Sequence, residues 1–143
     1  MTAEFTEAQR RFLESHRVGH LATADAEGRP HTMPVCYALD GHDLLSPIDE
    51  KPKRVAPSKL RRIRNIQENP QVALVVDEYS EDWVQLGYLL VRGRAEIVTN
   101  GPVHAKGLRL LRERYEQYRS MALEDKPLLR IVPERIVAWG KVE

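Results

Sequence analysis

Residues 43–77, DLLSPIDEKPKRVAPSKLRRIRNIQENPQVALVVD, decide how this chain is read. A short apolar run, Leu44-Leu45, leads into a Pro-rich basic loop, then a short helix, then Asn69-Pro70 and an apolar strand. Leu60, Ile63 and Ile66 recur every three residues, which predicts a helix over residues 58–68 with Arg61, Arg62 and Arg64 around it. Asn69-Pro70 stops that helix, because a residue before proline is pushed out of the helical region. Val72-Ala73-Leu74-Val75-Val76 is a continuous apolar run and predicts a strand covered on both sides. Between Lys51 and Arg64 stand seven basic residues (Lys51, Lys53, Arg54, Lys59, Arg61, Arg62, Arg64) and no acidic one, although the whole chain carries a formal net charge of only +1. Such a run reads in two ways. It is a solvated helix face, or it is an anion site, where clustered cations and helix N–H groups point at a phosphate or carboxylate.

Upstream, Thr6-Glu7-Ala8-Gln9 has the pattern of a capping box and predicts a helix over residues 7–15. Residues 18–24 and 31–39 are β-prone runs around a Gly-containing turn at residues 25–28, a hairpin pattern. A second turn at Asp40-Gly41-His42 passes to a third strand through Leu44-Leu45, so three strands form a meander. Pro34 cannot donate to a sheet ladder. It marks either a protected edge or a bulge whose free backbone groups face a ligand.

Downstream, the polar loop DEYSED (residues 77–82) leads into a strand predicted from Trp83 to about Thr99. In it Arg92, Arg94 and Glu96 alternate with Val91, Gly93, Ala95 and Ile97, giving one wet and one buried face. Asn100-Gly101-Pro102 opens another helix with proline in its first turn. Val103, Leu110, Leu111, Tyr115 and Tyr118 supply its apolar stripe. Residues 128–132 and 136–139 read as two short strands around Pro133-Glu134. Six or seven strands with few helices predict a small antiparallel β-barrel of the α+β class.

A chain of 143 residues is expected to be one domain. A single cysteine, Cys36, excludes an internal disulfide and a four-cysteine zinc site. His20 and His31 could face each other across the first hairpin, but the five histidines lack metal-ligand spacing, and no metal is expected. The apolar runs are too short for a membrane span, and the polar N-terminus is not a signal peptide, so a cytoplasmic location is expected. The basic run holds no aromatic residue for bases to stack on, which argues against nucleic acid. There is no Gly-rich phosphate loop, HExxH or Gly-x-Ser-x-Gly, so no side chain is expected to be catalytic, and a bound organic cofactor would carry any reaction.

The order of these features resembles the pyridoxamine-phosphate-oxidase-like FMN-binding split barrel superfamily over nearly the whole chain, with its cationic segment ending in N-P-x-V-x-L at Asn69-Pro70-Gln71-Val72-Ala73-Leu74. Asp49-Glu50-Lys51-Pro52-Lys53, DEYSEDW (residues 77–83) and Arg92-Gly93-Arg94-Ala95-Glu96 are similar to an actinobacterial subgroup classed as coenzyme F-420 (deazaflavin)-dependent oxidoreductases. The resemblance implies an antiparallel split β-barrel that forms a homodimer with cofactor sites at the interface. It implies hydride transfer to a small conjugated substrate. The family's phosphate-binding residue falls on Arg62, with Arg61 beside it. The backbone flanking the ring falls on Met33, Pro34 and Val35, and the end of the third strand on Ser46, Pro47 and Ile48. A C-terminal Trp that closes the ring pocket in some relatives corresponds to Trp139. Lys51, Lys53, Arg54 and Lys59 would extend the basic groove toward a longer anionic tail, with surface solubility as the alternative. Tyr37, Tyr79, Trp83 and Tyr88 are candidates for the substrate side. Tyr88 stands where the FMN oxidases use Gln, and their C-terminal substrate-binding Arg pattern is missing, which argues against pyridoxamine phosphate oxidation. An FMN enzyme of the same fold and a non-catalytic module for a planar ligand are the alternatives.

Overall fold

The computed structural model describes residues 2–48 and 60–142. In chain order it contains α1 (Glu7–Ser15), β1 (Gly19–Ala24), β2 (Pro30–Val35), β3 (Ala38–Asp40), β4 (Asp43–Pro47), α2 (Arg61–Glu68), β5 (Gln71–Glu78), β6 (Gly87–Val98), α3 (Pro102–Arg114) and β7 (Leu128–Gly140). The strands form one curled antiparallel sheet in the order β2-β1-β5-β6-β7-β4-β3, a split β-barrel of the α+β class. The capping box at α1 is present as read. Thr6 Oγ1 accepts from Gln9 N at 3.1 Å, and Gln9 Oε1 accepts from Thr6 N at 2.9 Å. Among the described residues no helix is long and apolar enough to cross a membrane.

Strand alternation decides where the core sits. Leu21, Leu74, Val91 and Ile131 point to the concave face, where Phe12 and Leu13 of α1 and Ile63 and Ile66 of α2 close over them. Outside, α3 covers β3 and the start of β7, with Leu108 and Leu111 against Ala38 and Leu128. The buried residues of α3 are His104, Gly107, Leu108 and Leu111; of the predicted stripe Leu111 and Tyr118 are buried and Leu110 and Tyr115 pack against them, while Val103 stays outside the cluster. Gly107 permits this approach: a Cβ there would lie 2.5 Å from Leu128 Cδ1 and 3.0 Å from Leu45 Cδ1. Gly107→Leu is therefore expected to cost about 2 kcal/mol by overpacking. Thermal denaturation should show a midpoint lower by roughly 5–8 °C.

Several expectations give way. The predicted strand over residues 31–39 breaks at Cys36-Tyr37, and its halves, β2 and β3, lie at opposite edges of the sheet. The three-strand meander is therefore replaced by two hairpins, β1–β2 and β3–β4, that hold the two lips of the split. Trp83 begins a 3-10 turn, Trp83–Gln85, because Asp82 caps it by accepting from Val84 N, and β6 starts only at Gly87. The two predicted C-terminal strands are one strand with a bulge: Arg92 pairs with Arg135 and Gly93 with Pro133, leaving Glu134 as the extra residue. Pro133 fits there because a bulge tolerates a missing donor. Finally, β5 is not covered on both sides. Val72, Leu74 and Val76 are buried, whereas Ala73 and Val75 are only half-buried on the convex face.

That convex face is apolar in its middle. Cross-strand pairing aligns Val75, Leu90 and Val137 in one row beside His20, with Ala22 and Ala73 adjacent. Arg92 and Arg135, both exposed, form the polar margin.

Candidate functional site

The first candidate region lies where α2 meets the β1–β2 turn. Asp25, Arg29, Pro30, His31, Arg61 and Asn65 line a cavity of about 290 Å³. Asp25 builds the turn. Its Oδ1 accepts from Glu27 N (2.9 Å) and Arg29 N (3.0 Å), and its Oδ2 accepts from Arg29 Nε at 2.7 Å. The bond from the Arg29 side chain, helped by these backbone donors, holds the Asp25 carboxyl below the usual range. Arg29 also pairs with Glu27 at 2.9 Å. On α2, Arg61 is exposed at the cavity rim, while Arg62 turns inward and is only 8% exposed. Leu60, the residue before the helix, has no polar side chain to cap it, so the positive end of α2 faces the same region. Lys51, Lys53, Arg54 and Lys59 lie outside the described residues.

The second region is the split itself. Met33, Pro34 and Val35 sit on β2, a terminal strand, and the register runs through Pro34 to His20 without a bulge. Met33 and Val35 share the concave face with Leu21 and Gly19, and Pro34 is exposed on the other. Ser46, Pro47 and Ile48, across the split, are buried. Ser46 Oγ donates to Cys36 O at 2.7 Å and ties β4 to the chain crossing between the lips. Ser46 and Ile48 are each 1% exposed, main chain and side chain together. Tyr37 is corrected from substrate side to core. It is 1% exposed, and its hydroxyl donates to Leu13 O (2.6 Å) and His16 O (3.1 Å), so burial pushes its phenol pKa up.

The third region is an aromatic shelf at the far end of the sheet. Tyr88 and Trp139 are cross-strand partners whose rings stack 5.9 Å apart at 22°. With Val75, Asp77, Glu78, Tyr79, Leu86 and Gly87 they border a depression of about 310 Å³. Trp139, Tyr79 and Trp83 are 52%, 65% and 71% exposed, an unusual amount of aromatic surface to leave in water.

The cavity and the shelf do not meet within one chain. The cavity lies at the Gln71 end of β5 and the shelf at its Glu78 end, about 20 Å away at strand rise. They also occupy opposite faces, since Thr23 and Asn65 are concave and Tyr88 and Trp139 convex. The family resemblance assigned all these positions to cofactor and substrate sites at a dimer interface; within one chain Tyr79, Tyr88 and Trp139 come together and lie apart from Arg61 and Arg62. His20 and His31 do not face each other either: His20 pairs with Pro34 and His31 with Thr23, on opposite faces. Asn65 was missed. The available signal was an Asn inside the helix beside Ile66, a residue type that favours caps and turns over helix interiors.

A family model described as pyridoxamine 5'-phosphate oxidase matches residues 5–140. A 5a,11a-dehydrotetracycline/5a,11a-dehydrooxytetracycline reductase of Streptomyces rimosus is 29% identical over 137 residues, 95% of this chain and 83% of that protein. A solved structure named as an F420 reductase is 27% identical with a TM-score of 0.66, over 93% of this chain and 98% of that one. A conserved hypothetical protein of Mycobacterium tuberculosis superposes with a TM-score of 0.77 at 22% identity, covering 95% and 85% of the two chains, and shares the fold. Because the family model spans nearly the whole chain and the split barrel accompanies it, the chain belongs to the pyridoxamine 5'-phosphate oxidase family.

Proposed function

We propose that this chain is a single-domain, homodimeric oxidoreductase that binds a coenzyme F-420-type deazaflavin and reduces a small conjugated substrate. The observation that carries this reading is the division of the surface into a cationic cavity and a flat aromatic shelf on opposite faces. A ligand with a planar ring and an anionic tail matches both, and in a homodimer one copy's shelf can lie toward the other's cavity. The reductase relatives, one named for dehydrotetracyclines and one for F420, support the chemistry.

When bound, such a cofactor supplies a hydride from its reduced ring. The protein's part is to bind, orient and exclude water. Arg62 and Arg61 hold the phosphate near the start of α2. The β2 backbone at Met33, Pro34 and Val35 flanks the ring, and the Tyr88–Trp139 stack covers the side on which the substrate lies flat. The half-buried row Val75, Leu90 and Val137 excludes solvent at the interface.

The test is a fluorescence titration with the deazaflavin and, separately, with FMN. Low-micromolar binding of the deazaflavin with FMN at least ten-fold weaker supports the reading; the reverse order assigns the protein to FMN chemistry. Arg62→Ala is expected to weaken deazaflavin binding by about 1–3 kcal/mol, the effect of losing a charged hydrogen bond. An unchanged dissociation constant would remove Arg62 from the site. Tight binding without turnover against any conjugated substrate would favour a cofactor carrier.

A further inference from the structure

We infer that the cavity between the β1–β2 turn and α2 is a composite subsite, and that Asn65 selects the ligand there by accepting a hydrogen bond from a hydroxyl or amide N–H lying next to an anionic group. The identity of that ligand as the non-ring end of the cofactor rests on the function proposed above; the composite chemistry of the subsite does not.

Asn65 is 1% exposed, and its Nδ2 donates to Thr23 Oγ1 at 3.0 Å. Its Oδ1 is buried and has no hydrogen-bond partner. As the amide is placed, Nδ2 is spent on Thr23 and the acceptor Oδ1 is the open end; the reverse placement would leave a donor open instead. Buried acceptors are nearly always paired in folded proteins, and an orphan keeps its full desolvation cost. Asn65 is one of the residues lining a cavity of about 290 Å³, room for several non-hydrogen groups.

The rest of the cavity wall is suited to a negative charge. Arg61 forms no ion pair among the described residues and stands at the first position of α2, whose dipole adds positive potential. The one carboxylate in the wall, Asp25, has both oxygens taken by Arg29 and backbone donors, so its charge is offset locally. His31 lies beside Thr23 across the hairpin and closes the side of the cavity next to the orphan amide. A bare anion would use Arg61 and the helix terminus but leave Asn65 unmet. A phosphate ester with a neighbouring hydroxyl, or a phosphodiester followed by an amide, satisfies both.

The test replaces the Thr23–Asn65 pair by an apolar pair of similar shape, Thr23→Val/Asn65→Leu, which removes both polar partners at once and is expected to keep or raise the thermal midpoint. Three probes are titrated into this variant and the wild type: the intact deazaflavin cofactor, the deazaflavin ring lacking everything from the phosphate outward, and glycerol 3-phosphate. The expected result is a 10- to 100-fold loss of affinity for the intact cofactor with ring-only affinity unchanged, and a glycerol 3-phosphate thermal shift in the wild type that the variant lacks. Equal affinity of both proteins for the intact cofactor would overturn the subsite and leave the proposed function standing. A glycerol 3-phosphate shift confined to the wild type, with no binding of either deazaflavin, would keep the subsite and overturn the function. A variant midpoint lower by more than about 5 °C with uniform loss for all probes would make Asn65 structural, and binding of no probe would overturn both.

Discussion

Leu90→Arg is expected to turn the proposed homodimer into a monomer and abolish cofactor binding while leaving the fold intact. Leu90 stands at the centre of the convex row, paired with Val75 on one side and Val137 on the other. All three are half-buried in the isolated chain, with only the backs of other strands beneath them, so an added guanidinium can lie out into water without disturbing the concave core. In a dimer packed on this face the same charge would be sealed in apolar contact. An uncompensated buried charge costs about 3–5 kcal/mol, a weakening of dimer affinity by a factor on the order of a thousand. Light scattering after size exclusion should move from twice 16.4 kDa to 16.4 kDa. Cofactor titration should lose its signal in the same samples, because the shelf and the cationic cavity are about 20 Å apart within one chain. Leu90→Met, which keeps volume and apolarity, should remain dimeric and bind. A monomeric Leu90→Arg protein with undiminished cofactor affinity would show that one chain holds the whole site.

Arg114→Ala is expected to cost about 3 kcal/mol of stability, a midpoint lower by roughly 10 °C. Arg114, at the last turn of α3, reaches the end of α1, where helix geometry leaves carbonyl groups without internal partners. Its guanidinium donates to Leu13 O and Glu14 O at 3.1 Å each, and also to His16 O. It lies 5.0 Å from the Tyr37 ring and 5.2 Å from the Tyr115 ring. Charge-assisted bonds of this kind contribute about 1.5–3 kcal/mol each before solvent screening, and the ring contacts add a smaller amount. Truncation would also leave the carbonyls of a core-facing helix end facing a void. Arg114→Lys should recover only part of the loss, since one ammonium cannot reach three carbonyls with the geometry of the planar fork. Chemical denaturation of the three proteins checks the order, and an alanine variant as stable as wild type would mean that water caps α1 equally well.

The two variants probe different links of the chain from sequence to function. Arg114 joins helices far apart in sequence to make the barrel, whereas Leu90 acts only after the barrel exists. Their effects should therefore separate cleanly: lost stability with retained dimerisation for the first, lost dimerisation with retained stability for the second.

Much of the architecture was legible because it is local. Thr6 and Gln9 announce α1 through a four-residue pattern that needs no tertiary partner, and the structure has that capping box. The alternation of Arg92, Arg94 and Glu96 with Val91, Gly93 and Ala95 marks β6 because a strand exposes every second residue. Asn69-Pro70 ends α2 for steric reasons internal to the dipeptide. The cationic segment was visible for the same reason, as a charge run within a few turns of chain.

Local pattern says nothing about which edge of a sheet a strand joins, on which face a register places a side chain, or what lies across a gap. The break at Cys36-Tyr37 sends β2 and β3 to opposite lips of the split, a consequence of closing seven strands into a curled sheet. Tyr37 looked like any strand-end aromatic until Leu13 and His16 supplied its acceptors from α1. Pro133-Glu134 looked like a strand break until β6 provided a partner for both flanks. Asn65 became significant only when its helix packed on Thr23 and left one end of its buried amide without a partner beside a cavity. The sequence by itself determined the family's order of elements, the capped first helix and the basic segment, since adjacent residues dictate these through sterics, capping and charge. Tertiary structure alone decided the two separated halves of the candidate site, because sheet register and closure are set by contacts between residues distant along the chain.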